Sequence, residues 1–315
     1  MMHTTDRIGS KGARTARGRV MAIGASFAIG ASVATGAFAQ GASEVTVKNA
    51  TQVQAGPLQQ QKVDLGNVKG DGRSKVNATN TTQIQAGALN RQSLTAGNVD
   101  GNGRSSVDLR NTTQVQAGAL NSQSLAVGNS KGGGRSDVRV EGTTQVQAGA
   151  LNRQSTDIGN ASGNGQSDVR TGRVTQVQAG ALNDQGLKIG NADGGQSKVT
   201  TGNVTQVQAG ALNSQRTELG NASSGGRSNV NVAGVTQVQA GTLNSQRLKI
   251  GNASNGGTSN VQAGKITQVQ AGALNSQALE IGNAKNGGTS NVQVGGITQV
   301  QGGALNDQKI RIGNQ

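Results

Sequence analysis

The sequence predicts an all-β repeat solenoid, and three observations predict it. The hexapeptide Thr-Gln-Val-Gln-Ala-Gly returns almost letter for letter, starting at Thr51, Thr82, Thr113, Thr144, Thr175, Thr205, Thr236, Thr267 and Thr298. The intervals are 31 residues except for one of 30, and a fixed period of this size marks stacked units that each touch only their neighbours. The hexapeptide carries no charge and no proline, and its Thr, Val and Gln suit a strand that ladders on copies of itself. Composition is the third observation. The 315 residues include 51 glycines and no Cys, Trp or Tyr, and both Phe, all three Met and the one His fall within the first 40. A repeat without aromatics or Met cannot fill an irregular core. It must layer Val, Ile, Leu and Ala along an axis, here in nine rungs of about three short strands.

In chain order, Lys11, Arg14, Arg17 and Arg19 precede an apolar run from Val20 that ends in Ala37-Phe38-Ala39. A basic segment, an apolar run and a small-x-small site read as a secretory signal peptide over residues 1–39. Residues 40–42 form a short leader, and 43–315 hold the repeats. The run is rich in Gly, Ala and Ser and stops at the cleavage site, which disfavours a membrane anchor; the expected mature chain has no membrane span. Residues 1–39 carry five basic residues and one acidic residue, so the overall net charge of +14 becomes +10 without them. Absence of cysteine leaves no disulfide framework for an exported chain.

The unit is clearest in the seventh copy, Ser228 to Asn252. Its first extended piece, Ser-x-Val-x-Val, alternates: Val76, Val107, Val138, Val169, Val199, Val230, Val261 and Val292 share one face, while Lys75, Asp137, Asp168 and Lys198 sit between. The hexapeptide is the second piece. The third alternates Gln246, Leu248 and Ile250 against Ser245, Arg247 and Lys249. Its inward column holds Leu65, Val127, Ile158, Ile189, Leu219, Ile250, Ile281 and Ile312, and its outward column mixes charges from Asp64 and Asp157 to Glu280 and Arg311. The expected core therefore includes Val76, Val107, Val138, Ile158, Ile189, Val230, Ile250 and Ile281.

Turn signals separate the pieces: Ala-Gly-Ala-Leu-Asn after the second, Gly-Asn and a Gly-rich loop after the third. The 30-residue interval arises in that loop, since Asn191 to Ser197 is one residue shorter than Asn160 to Ser167. A strand could not lose a residue without turning every later side chain to the other face. Stacked in register, Gln52, Gln83, Gln114, Gln145, Gln176, Gln206, Gln237, Gln268 and Gln299 form an amide ladder, and Asn90, Asn121, Asn152, Asn183, Asn213, Asn244, Asn275 and Asn306 a second. One unit buries too few aliphatics to offset ordering its backbone, so stability must come from stacking. Repeats start soon after the cleavage site and run to Gln315, so the rod is expected to be uncapped, with edges that pair end to end.

The pattern Ser-x-Val-x-Val, Val-Thr-Gln-Val, then Gly and Asn, with Gln-x4-Asn spacing at Gln208–Asn213, Gln239–Asn244 and Gln270–Asn275, resembles the repeats of the curlin family, subunits of curli-type functional amyloid on bacterial surfaces. The likeness covers Ser43 to Gln315. This unit is longer, has no aromatics and places aliphatics such as Ile250 where the family has its final Gln. The resemblance implies secretion through an outer-membrane channel, a nucleator, polymerisation with itself, adhesion and biofilm matrix.

Catalysis is not expected, because residues 40–315 lack His and Cys and their carboxylates lie on varying outward positions. Asp71 and Asp193 sit in Gly-rich loops where other copies carry Ser162 or Lys285, which is turn chemistry rather than a cation site, and no cofactor is expected. Two other readings compete with the fibre. Should Thr and Val of the hexapeptide face outward, nine rungs make a flat sheet suited to ice binding. A basic adhesin could instead hold acidic polysaccharide or extracellular DNA; Arg73, Arg104, Arg135 and Arg227 lie in the Gly-rich loops of some copies, without aromatics to stack on bases.

Overall fold

The period-two alternation of each unit becomes four strands per coil. In the seventh coil they are Arg227–Asn229, Gln237–Thr242, Ser245–Leu248 and Ala253–Ser254. Each pairs in parallel with its counterparts in the coils before and after. A parallel pair needs a long crossover; here the rest of the coil is the crossover. The result is a β-solenoid built from four parallel sheets, without a helix among the described residues. The computed structural model describes residues 32–34, 41–47, 49–69, 72–101, 103–132, 134–163 and 165–313.

Three strands per rung becomes four because a two-residue strand follows each Gly-Asn, from Val68–Lys69 to Ala284–Lys285. Two residues are too few for alternation to reveal them in sequence. In the later coils the first strand is also shorter than its Ser-x-Val-x-Val pattern: the strand ends at Asn229, the Val230 N–H still donates to the Lys198 carbonyl of the coil before at 3.0 Å, and Val230 and Val232 continue inward through the corner. Arg73, Arg104, Arg135 and Arg227 lie in this first strand rather than in the loop, in a register that stacks Arg73, Arg104 and Arg135.

Like residues pair with like. Ala161 pairs Ala192 and Ser162 pairs Asp193 at an offset of 31, whereas Gln166 pairs Gln196 at 30. The missing residue is therefore absorbed between Asp193 and Gln196, where no pairing register has to slip.

Val76, Val107, Val138 and Val230 pack against Ile158, Ile189, Ile250 and Ile281, each no more than 2% exposed. Between them come Leu94, Leu125, Leu187, Leu248 and Leu279 of the third strand. The second strand turns its glutamines inward: Gln237 and Gln239 are 0% exposed, while Thr236, Val238 and Ala240 face out and are half-buried. The cross-section is thus part aliphatic and part amide, which is tolerable because each buried amide can find its partner in the next coil. Burial loosens in the last described coil, where Val292, Val294, Ile297 and Ile310 are only partly covered and Ile312 is 40% exposed.

At the opposite end, Ser32–Ala34 pairs in parallel with Lys62–Asp64. This strand lies inside the expected signal peptide, whose residues 1–31 and cleavage site at Ala37-Phe38-Ala39 are outside the described residues.

Candidate assembly surface

Two glutamine columns run through the interior as continuous side-chain chains. The second Gln of the hexapeptide links Gln85, Gln116, Gln147, Gln178, Gln208, Gln239, Gln270 and Gln301, each amide nitrogen donating to the next carbonyl oxygen at 2.9–3.0 Å. The Gln of the third strand does the same from Gln61 through Gln92, Gln123, Gln154, Gln185, Gln215, Gln246 and Gln277 to Gln308, at 2.6–3.1 Å. Both columns donate in one direction, toward the C-terminal coil. The rod is therefore polar: Gln61 and Gln85 keep unpartnered carbonyl oxygens on its N-terminal side.

The column expected from sequence is looser. Gln114 donates back to Gln83 at 3.2 Å, Gln206 to Gln176 at 3.3 Å, Gln237 to Gln206 at 3.4 Å and Gln268 to Gln237 at 3.3 Å. Both amide atoms of Gln52, Gln145 and Gln299 lack a protein partner. Where the third strand replaces Leu by Thr, the hydroxyl steps in: Gln176 donates to Thr156, Gln237 donates to Thr217, and Thr217 donates to Gln206 at 3.0 Å. The tight columns are signalled in the sequence by the Gln five residues before Asn and the Gln two after it.

The asparagines close the corner between second and third strands. The backbone N–H of Asn121 donates to the carboxamide oxygen of Asn90 at 3.0 Å, and the contact repeats through Asn152, Asn183, Asn213, Asn244, Asn275 and Asn306. Each carboxamide nitrogen from Asn90 to Asn275 also donates to two carbonyls, as Asn152 does to Ala148 and Gly180. At the opposite corner Ser74, Ser105, Ser136, Ser167, Ser197, Ser228 and Ser259 donate to the glycine carbonyl 23 residues on. The glycine before the Asn corner has no substitute: Gly149 has φ +109°, and a Cβ there would stand 1.8 Å from the Gly180 carbonyl oxygen.

Outside, the second sheet presents Thr, Val or Ile, Ala or Gly, and small residues, with no charge in any coil. Its edge is a ridge of nine leucines: Leu58, Leu89, Leu120, Leu151, Leu182, Leu212, Leu243, Leu274 and Leu305, all with φ between 54° and 59°. The seven inner ones are 48–51% exposed. A left-handed conformation costs an L-residue roughly 1–2 kcal/mol, and Gly or Asn fills such positions most cheaply. An apolar side chain kept there nine times, half in water, is unexpected for a turn.

Elsewhere the surface is mixed. An open groove of about 910 Å³ follows the fourth sheet over Asn98, Asn129, Asn160 and Asn191, between walls carrying Lys131, Lys188, Asp193 and Glu218. Neighbouring coils pair Lys75 with Glu44 and Arg311 with Glu280 at 3.7 and 3.9 Å, exposed contacts of small energetic consequence. At Asp157, burial pushes the carboxyl above the ordinary value, and Lys188 in the next coil partly offsets this.

No family model, no curated protein and no solved structure matches the chain.

Proposed function

We propose that the chain is a secreted structural subunit that polymerises end to end into an extracellular, curli-like fibre serving adhesion and biofilm matrix. The observation that carries this reading is the in-register stacking of like on like, with two tight amide columns that both donate toward the C-terminal coil. A coil built so is a template for the next, and a second copy added in the same sense continues the four sheets and the tight amide columns without a new kind of contact. Its partner is then chiefly itself. A nucleator, an outer-membrane channel and weak attraction to acidic polysaccharide or extracellular DNA belong to the same reading.

The test is assembly of the purified chain lacking residues 1–39 at micromolar concentration. Seeded growth after a lag, with fibre diffraction near 4.7 Å along the fibre axis, is the expected result. A rod that stays monomeric under these conditions overturns the reading.

One observation favours a second function. Thr and Val of the hexapeptide do face outward, as a flat ice-binding sheet requires. Thermal hysteresis by the monomer, without fibres, would establish it in place of the first.

A further inference from the structure

The uncharged outer face of the second sheet and its leucine ridge have no partner among the described residues. From Thr to Leu the face spans about 23 Å, and eight coils span about 38 Å, which together exceed the roughly 800 Å² per partner of a standard stable interface. An exposed apolar patch of this extent on a soluble protein marks a contact surface. The left-handed leucines point the same way, since their strain brings nothing to the fold that Gly or Asn would not.

From the geometry we infer that this face binds a second copy of the chain, side by side and antiparallel. The inference deepens the fibre reading and rests on it for its biological meaning, though not for its test. Only an object with the same coil spacing of about 4.8 Å can stay in register with nine coils, and another copy has it by construction. Two arrangements with two-fold symmetry bring the faces together. An axis along the rods sets the leucine ridge against the opposite edge, which carries Arg173 and Lys265. An axis across the rods sets ridge against ridge, apolar against apolar.

Charges beside the ridge then choose the register. The position two residues after each Leu holds Arg91, Arg153, Asp184 and Asp307 in coils two, four, five and nine, and uncharged residues elsewhere. Centring the axis on coil four opposes Arg153 to its own copy, and centring it on coil five opposes Asp184 to itself. Centring it between them sets each Arg153 against the partner's Asp184, and because these two residues are also neighbours within the chain, four charges alternate in a square. Leu89 then meets the partner's Leu243, and Leu120 its Leu212. Being exposed at the rim, the charges set orientation and register, while the leucines and the flat sheet supply the contact area.

The chain contains no cysteine, so single Leu→Cys variants report pairing directly. An oxidised mixture of Leu89→Cys and Leu243→Cys chains should give a disulfide-linked dimer on a non-reducing gel, and each alone should give little. Cross-linking of Leu89→Cys to itself, or to Leu305→Cys instead of Leu243→Cys, overturns the assignment. A second measurement reads the charges. Asp184→Arg chains and Arg153→Asp chains should each lose lateral pairing at low salt, and mixing them in equal amounts should restore it; no rescue overturns the antiparallel register. Failure of pairing remains distinct from failure of the fibre reading. Leu151→Lys with Leu182→Lys should leave seeded growth intact and reduce filaments to single-rod width, whereas dimers without fibres would uphold the pairing and sink the fibre.

Discussion

In the inner coils the two glutamines of the hexapeptide occupy the same strand, face the same interior and are equally buried, yet only one forms a continuous chain of hydrogen bonds. Gln147 and its equivalents lie next to the asparagine corner, where the tightly bonded turn fixes the backbone from coil to coil. In most coils the first Gln lies opposite a Leu of the third strand, as in the coil of Gln114 and Leu125, and a Leu there offers nothing to an amide; in the coil of Gln145 the position is Thr156, whose hydroxyl is taken by Gln176 of the next coil. Coils with Thr156 or Thr217 supply a hydroxyl and draw Gln176 and Gln237 toward it. A repeat can thus place identical groups in register without making them bond; what faces them across the core decides.

Breaking the tight column should have the largest effect. Gln147→Glu with Gln178→Glu would bury adjacent carboxylates in a site without cations, and a loss of more than about 4 kcal/mol is expected, read as loss of folded β signal by circular dichroism under urea. A milder break is Gln147→Leu, which strands the Gln116 donor and the Gln178 acceptor and should cost about 2–6 kcal/mol. Gln145→Leu, one strand position pair away, should act in the opposite sense. It removes two unpartnered buried atoms and should stabilise by about 1–3 kcal/mol in the same titration, so equal destabilisation by the two Leu variants would erase the contrast between the columns. Thr217→Leu sharpens the comparison further: without that hydroxyl the Gln237 amide keeps only its long contact with Gln206, and Gln206 loses a donor, at a cost of about 1–3 kcal/mol.

The smallest expected effect comes from Asp157. Its carboxyl is raised in the folded chain above the ordinary value of 3.8, so ionisation is easier in the unfolded chain. Its contribution to stability is most favourable below the ordinary value and declines as pH rises through the raised one. Asp157→Asn should therefore flatten the pH dependence of the urea midpoint in the mildly acidic range and raise it slightly at neutral pH. A steeper dependence in the variant would contradict burial as the cause.

Much of this was legible in the residues. The 31-residue period, the parallel like-on-like stacking and the inward columns of Val76, Ile158, Ile189 and Ile250 follow from repetition and alternation alone, because a strand's period of two leaves no other way to separate aliphatics from charges. The Gly-rich loop as the place for the shortened interval follows from the same constraint. Sequence also shows that both hexapeptide glutamines share a face.

Which way that face points, and which glutamine bonds, only the tertiary structure decided. Thr-Val-Ala and Gln-Gln-Gly are equally free of charge, so hydrophobic partition within the hexapeptide cannot orient it; the Asn corner and the aliphatic column of the third strand, folded onto it from elsewhere in the coil, can. The leucine ridge was likewise invisible. A Leu after Ala-Gly-Ala reads as the end of a turn, and only its left-handed backbone and half-exposed side chain reveal that the coil turns its aliphatic side chain outward.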